Sequence, residues 1–147
     1  MNFRQLLRRR RPGEGPRLAD DGSLEVVGAS FDPSRPDSAV VGEMADAGVD
    51  LARPLLLRHH LRLPDELAVE EARRIVGQEG YALLVVPTEG IGRGDGDGPG
   101  EGREVRVRIS RPQQITALAI AQERSRMAGL AHRLGGDVRG WDVLGHR

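Results

Sequence analysis

Arginine alternates with apolar residues and histidine in two short stretches, "LLLRHHLRL" (55–63) and "REVRVRIS" (103–110). Alternation with a period of two marks a strand with one buried face. Arg58, His60 and Arg62 fall on the polar side of the first stretch, opposite Leu55, Leu57, His59, Leu61 and Leu63. Arg106 and Arg108 fall on the polar side of the second, opposite Val105, Val107 and Ile109. A guanidinium group binds carboxylate and phosphate through a planar fork of donors. Four of them on one sheet face therefore describe an anion-binding surface, for RNA phosphate or for an acidic protein patch. The other reading is a solvated face whose arginines are offset locally by Glu104, by Asp142 or by the acids of the glycine-rich stretch 88–102. The sequence leaves both open.

No catalytic constellation accompanies these residues. His59 and His60 are adjacent on a strand and face opposite ways, so they cannot share a metal. His59 belongs with the leucines as a hydrogen-bonded core histidine, and His60 with the arginines as a candidate partner contact. His132 and His146 have no identifiable carboxylate or serine companion, and the serines lie in no nucleophile motif. The run Gly90-Ile91-Gly92-Arg93-Gly94 joins two strands, whereas a dinucleotide fingerprint must lead from a strand into a helix. Asp95, Asp97 and Glu101 suggest a calcium loop, but its register places Pro99 and Arg106 where oxygen ligands belong. The chain has no cysteine, which excludes disulfides, thiol nucleophiles and thiolate metal sites. We expect no cofactor, no metal and no enzymatic activity.

The elements that must position the arginine face follow from periodicity and capping. Residues 1–35 read as a flexible basic arm, with the cluster Arg8 to Arg11 near its N-terminus and a short strand in "SLEVVGASF". A lead-in helix is expected over about 37–47, capped by Asp37 or Ser38 and stopped at Gly48. After the strand at 55–63, Asp65 caps a helix with an apolar stripe of Leu67, Ala68, Ala72, Ile75 and Val76. Gly80 closes it. "YALLVVP" is a second strand, the 88–102 stretch a hairpin, and "REVRVRISR" a third strand. A long helix from about Thr116 to Leu134 presents Ile120, Met127, Leu130, Ala131 and Leu134, and "DVRGWDVLG" returns as a last strand at the sheet edge. Strand, helix, strand, strand, helix, strand is the split β-α-β order. It gives an α+β, ferredoxin-like fold, βαββαβ, whose four-stranded antiparallel sheet carries two helices on one face. Its first and third strands are central, so Arg58 and Arg62 should lie near Arg106 and Arg108. On this reading residues 36–147 are one domain. RNA-recognition motifs share the topology but place stacking aromatics where this chain has arginine and histidine.

The chain has one Trp, one Tyr and two Phe, and the Trp stands in "GLAHRLGGDVRGWDV". Gly135-Gly136 lets the long helix reverse, and Gly140 leaves room beside Trp141, which either covers one end of a small core or faces a partner. With 22 basic residues, all arginine, against 22 acidic ones, no net field steers the chain to nucleic acid or membrane. No apolar run suits a signal peptide or a membrane span, so a cytoplasmic protein without membrane contact is expected.

Taken together, "LLLRHHLRLPDELAVEEARRIVGQEGYALLVV" and "MAGLAHRLGGDVRGWDV" resemble the regulator of ribonuclease activity B family, protein inhibitors of ribonuclease E. The likeness rests on a histidine-containing first strand, the Gly80-Tyr81 pair after the first main helix, and Leu130-Ala131 followed by Gly140-Trp141-Asp142. The resemblance implies the same ferredoxin-like fold. It also implies a non-catalytic protein that binds an E/G-type endoribonuclease and modulates, by inhibition, its cleavage of RNA. The better-known members are strongly acidic, whereas this chain is neutral. Partner-binding candidates are Arg58, His60, Arg62, Arg106, Arg108, Trp141 and Asp142. The alternative is a sequence-independent RNA- or acidic-protein-binding module using the same arginine face, with weak RNA contact through phosphate neutralisation.

Overall fold

The computed structural model describes residues 17–87 and 104–146. Its elements are β1 (Glu25–Ser30), α1 (Asp37–Asp46), β2 (Leu55–Leu63), α2 (Glu66–Gly77), β3 (Ala82–Val85), β4 (Val105–Gln113), α3 (Ala117–Arg133) and β5 (Asp137–Gly145). They build one five-stranded sheet in the order β1-β5-β2-β4-β3, with every neighbouring pair antiparallel. From β2 onward the element order is the one the sequence predicts, and β2 and β4 are the expected central neighbours.

The four-stranded ferredoxin-like expectation holds only approximately. β1 adds a fifth strand alongside β5, so β5 is an inner strand and not the expected sheet edge. β1 lies inside the stretch read as an arm, and it coincides with the short strand read in "SLEVVGASF". Its ladder with β5 pairs Ser30 with Trp141 and Glu25 with Gly145. The Arg8–Arg11 cluster and the 88–102 hairpin fall outside the described residues.

All three helices cover the sheet face that carries the odd-numbered residues of β2. Toward one end Leu61, Leu63, Val105, Val107 and Ile109 pack with Ala68, Val69, Ala72 and Val76 of α2 and Met127, Leu130 and Ala131 of α3. Toward the other, Val40 and Met44 of α1 pack with Leu55, Leu57, Ile120, Trp141 and Val143. One residue of the expected α2 stripe is misplaced: Leu67 is 79% exposed and Val69 is buried in its stead. Leu67 is the second residue of α2, where the helix has just entered and its side chain still lies beyond the sheet.

Capping explains where the helices begin. The Asp65 carboxylate accepts from the Ala68 N–H at 2.9 Å, and the Thr116 hydroxyl accepts from the Ala119 N–H at 3.0 Å. α1 differs from the expectation. Pro36 occupies the capping position without a side-chain hydrogen bond, and Asp37 reaches across to Arg124 of α3 at 2.9 Å instead. Two glycines are required by close approach. A Cβ at Gly136 would stand 2.1 Å from the Arg62 carbonyl oxygen, and one at Gly140 would stand 2.3 Å from Cδ1 of Phe31. Gly140 therefore seats Phe31, where the sequence suggested that it made room for Trp141.

On the opposite sheet face, Leu56 and Leu144 are buried under Leu18 and Leu24. These two leucines belong to residues 17–24, a strap without regular structure that leads into β1. Part of the face expected to be open is thus covered by the chain itself.

Candidate functional site

The β2–β4 register places Arg58 opposite Ser110, His60 opposite Arg108 and Arg62 opposite Arg106. On the other side, the β2–β5 register places Arg58 opposite Asp142. The predicted cluster of arginines is therefore assembled on one face, together with an acid from β5.

Asp142 is its hub. Arg58 donates to both carboxylate oxygens, Nε to Oδ1 at 2.8 Å and Nη2 to Oδ2 at 2.7 Å. His60 Nε2 sits 3.0 Å from Oδ1. Burial by itself raises a carboxyl, but the hydrogen bonds from His60 and Arg58 and their charges outweigh it, so Asp142 lies below its ordinary range. The hydrogen bond to Asp142 raises Arg58 in turn. Bidentate geometry and the near-complete burial of both residues make this the fixed part of the face.

A second carboxylate comes from the strap. Asp20 Oδ1 accepts from Arg58 Nη1 at 2.8 Å, and Asp20 Oδ2 lies 2.9 Å from Arg108 Nε. The latter pair is at ion-pair distance without hydrogen-bond alignment, since both atoms remain buried and unsatisfied as donor and acceptor. That contact is electrostatic. Arg62 is held by Glu104 at 2.9 Å and by Asp137 at 2.7 Å. Arg106 is exposed and forms no ion pair among the described residues.

Sequence reasoning named Glu104 and Asp142 as offsetting acids, and both serve. Asp20 and Asp137 were missed. Asp137 opposes Arg62 only because the β2–β5 register shifts by one residue between His60 and Leu61. Asp20 has no local signal, because only the path of the strap brings it to β2.

Trp141, also a predicted partner residue, lies on the other face. It is 2% exposed beneath α1 and α3, so among the candidates it is the one set apart. Its cross-strand neighbour is His59. The histidine is buried as expected, but it is not hydrogen-bonded: both ring nitrogens, and the Trp141 Nε1, lack a partner. Burial pushes the His59 pKa down to about 4.

A third polar group closes the far end of the helix layer. The Tyr81 hydroxyl donates to Glu123, which also receives Arg111 at 3.1 Å, and the Arg111 guanidinium lies 4.2 Å from the Tyr81 ring centroid. Burial and the Glu123 carboxylate push Tyr81 up to about 12. Tyr81 is thereby locked between α3 and β4, which gives the Gly80-Tyr81 pair a structural task.

With this geometry in place, comparison with known families is decisive. The Regulator of ribonuclease activity B family matches residues 35–143. The chain belongs to this family. The match spans α1 to β5 and takes in Arg58, His60, Trp141 and Asp142, while the strap and β1 lie N-terminal to it. No curated protein matches the chain. Family membership makes it a regulator of ribonuclease activity B protein, and the family's name implies a ribonuclease as partner. Among the described residues, no helix is long and apolar enough to cross a membrane.

Proposed function

We propose that this protein acts without catalysis in the cytoplasm, binding an E/G-type endoribonuclease and lowering its cleavage of RNA. Membership of the regulator of ribonuclease activity B family is the observation that carries this reading. The contact surface in this proposal is the sheet face around the Arg58–Asp142–His60 network, with Arg106 and Arg108 as the residues that meet the partner. Arg106 supports that choice, because it is an exposed guanidinium with no ion pair among the described residues. A partner carboxylate there gains a charge-assisted hydrogen bond without first breaking one. Trp141 supports the face indirectly by holding β5 in register.

The test is cleavage of a model RNA by the host's E/G-type ribonuclease in the presence of the wild-type protein or Arg106→Glu. A parallel titration of the same RNA without nuclease serves as control. Slowed cleavage by the wild type, RNA left unbound in the control, and at least a tenfold weaker effect of the variant are expected. Unchanged cleavage at saturating protein would overturn the reading. Salt-sensitive RNA binding in the control would favour the RNA-binding alternative instead.

A further inference from the structure

Between the β1–α1 connection, α3 and the start of β5 lies a cleft of about 360 Å³. It lies beside α3 at the edge of β5, and through Phe31 it touches His60 of the arginine face proposed to meet a ribonuclease. Trp141 contributes to its lining, Arg124 and Ser125 come from α3, and Arg139 comes from β5. Phe31 and Arg35 come from the β1–α1 connection.

Three observations give the cleft a chemical character. The first is its charge. Its lining holds Arg35, Arg124 and Arg139 against Asp32 and Asp37, three cations to two anions. The acids are already engaged: Asp37 holds Arg124 at 2.9 Å, and Asp32 accepts from the N–H and hydroxyl of Ser34 at 3.0 and 2.7 Å. Arg35 is tied to Glu43. Arg139 is exposed and has no ion pair among the described residues. One hydrogen bond to Asp37 fixes Arg124 and leaves its other donors for a ligand.

The second is how Arg139 gets there. Across β2 and β5, His60 pairs with Gly140 and Leu61 pairs with Val138, so Arg139 is the extra residue of a β-bulge. Without it the ladder would be regular, and Val138 and Trp141 would keep the faces they already occupy. The shift sets Asp137 opposite Arg62, and it also adds Arg139 to the lining of the cleft.

The third is the aromatic wall. In a chain with four aromatic residues, Phe31 stays 52% exposed. Its position is nonetheless fixed, by the missing Cβ of Gly140 and by edge contact with the His60 ring, 5.0 Å between centroids. An exposed ring held rigid at the mouth of a cationic cleft offers a stacking surface at low entropic cost.

We propose that this cleft binds a nucleotide unit, one phosphate beside one base, with Arg124 and Arg139 on the phosphate and Phe31 stacked on the base. An anion alone would not use Phe31, and an uncharged aromatic ligand would not use the bulge. A cleft of this size is at the lower end for small-ligand sites and matches a mononucleotide, not a dinucleotide.

Trp141 is the chain's one tryptophan and lines the cleft, so its fluorescence reports occupancy of the full-length protein. The experiment titrates AMP, inorganic phosphate and adenosine, with equilibrium dialysis of AMP as a second measurement that does not depend on the indole. Saturable binding of AMP is expected, with phosphate and adenosine each at least about tenfold weaker. Arg139→Glu should weaken AMP by about tenfold or more while leaving the circular dichroism spectrum unchanged, and Phe31→Ala should weaken AMP but not phosphate. A short oligoribonucleotide in competition identifies the source: displacement of AMP at lower concentration assigns the unit to an RNA strand, and failure to displace it assigns a free nucleotide. No AMP binding by either method would overturn the proposal. So would equal binding of AMP and phosphate, or AMP binding unchanged in Arg139→Glu.

Discussion

His59 and Trp141 face each other across β2 and β5, and one residue along each strand Arg58 and His60 converge on Asp142. The two groups are nearest neighbours on opposite faces of the same ladder, yet their polar atoms are treated in opposite ways. On the strap-covered face every donor aimed at Asp142 is matched with an acceptor. On the helix-covered face three ring nitrogens are buried without a partner. The difference teaches that burial alone does not show what a polar residue contributes. Asp142 organises its surroundings through hydrogen bonds, whereas His59 and Trp141 contribute volume and shape, and their unsatisfied nitrogens are a cost carried by the surrounding core.

The comparison is broken most directly at Asp142. Asp142→Ala strands the buried Arg58 guanidinium with Asp20 as its remaining carboxylate, and should lower the stability by about 3–5 kcal/mol, read from the urea midpoint. A slope against pH should come next. His59 ordinarily titrates near 6.5 but is held at about 4 in the fold, so the unfolded chain binds more protons between those values. Stability therefore falls as pH drops from 6.5 to 4, by about 3 kcal/mol at most. The carboxylate of Asp142, lowered from 3.8, yields its stability only at still lower pH, so the two contributions separate along the titration. In His59→Leu the loss between pH 6.5 and 4 should vanish, and at pH 7 the variant should equal or exceed the wild type. An unchanged acid limb in this variant would show that His59 is not the group responsible.

A smaller effect tests the strap. Asp20→Ala should cost about 1–2 kcal/mol, because it removes one hydrogen bond to Arg58 and the electrostatic contact to Arg108 while Arg58 keeps its bidentate partner Asp142. Hydrogen exchange should show residues 17–24 opening more readily in that variant while β2 stays protected. The smallest change is expected at Arg62. Its two carboxylate partners are solvent-exposed, and Arg62→Gln should move stability by about 0.5 kcal/mol or less.

Much of this arrangement was legible in the residue pattern. Period-two alternation put Arg58, His60 and Arg62 on one face and His59 on the other, and the strand order made β2 and β4 central. Glu104 and Asp142 followed as acids near enough in register to offset the arginines. What escaped depends on contacts that have no local signature. Asp20 and Leu18 sit in a stretch whose composition reads as an arm, and only their match to Arg58, Arg108, Leu56 and Leu144 explains why residues 17–24 lie on the sheet. The fifth strand was visible as a short apolar run, but its place beside β5 requires the sheet to exist first. The bulge at Arg139 was invisible as well, since an extra residue in a ladder is defined by the partner strand. Gly140 was correctly seen as making room, and the wrong neighbour was assigned because Phe31 is distant in sequence.

The position of β1 also bears on how the chain assembles during synthesis. Its sheet neighbour is β5, and β5 is made after every other element among the described residues. While the chain emerges from the ribosome, β2, α2, β3, β4 and α3 can collapse against one another, but β1 has no ladder to join and Arg58 has no Asp142. The N-terminal strand must wait as an exposed β-prone edge until β5 inserts between β1 and β2 and closes the sheet from both sides at once, whereas the strap already has Arg58, Arg108 and Leu56 to meet.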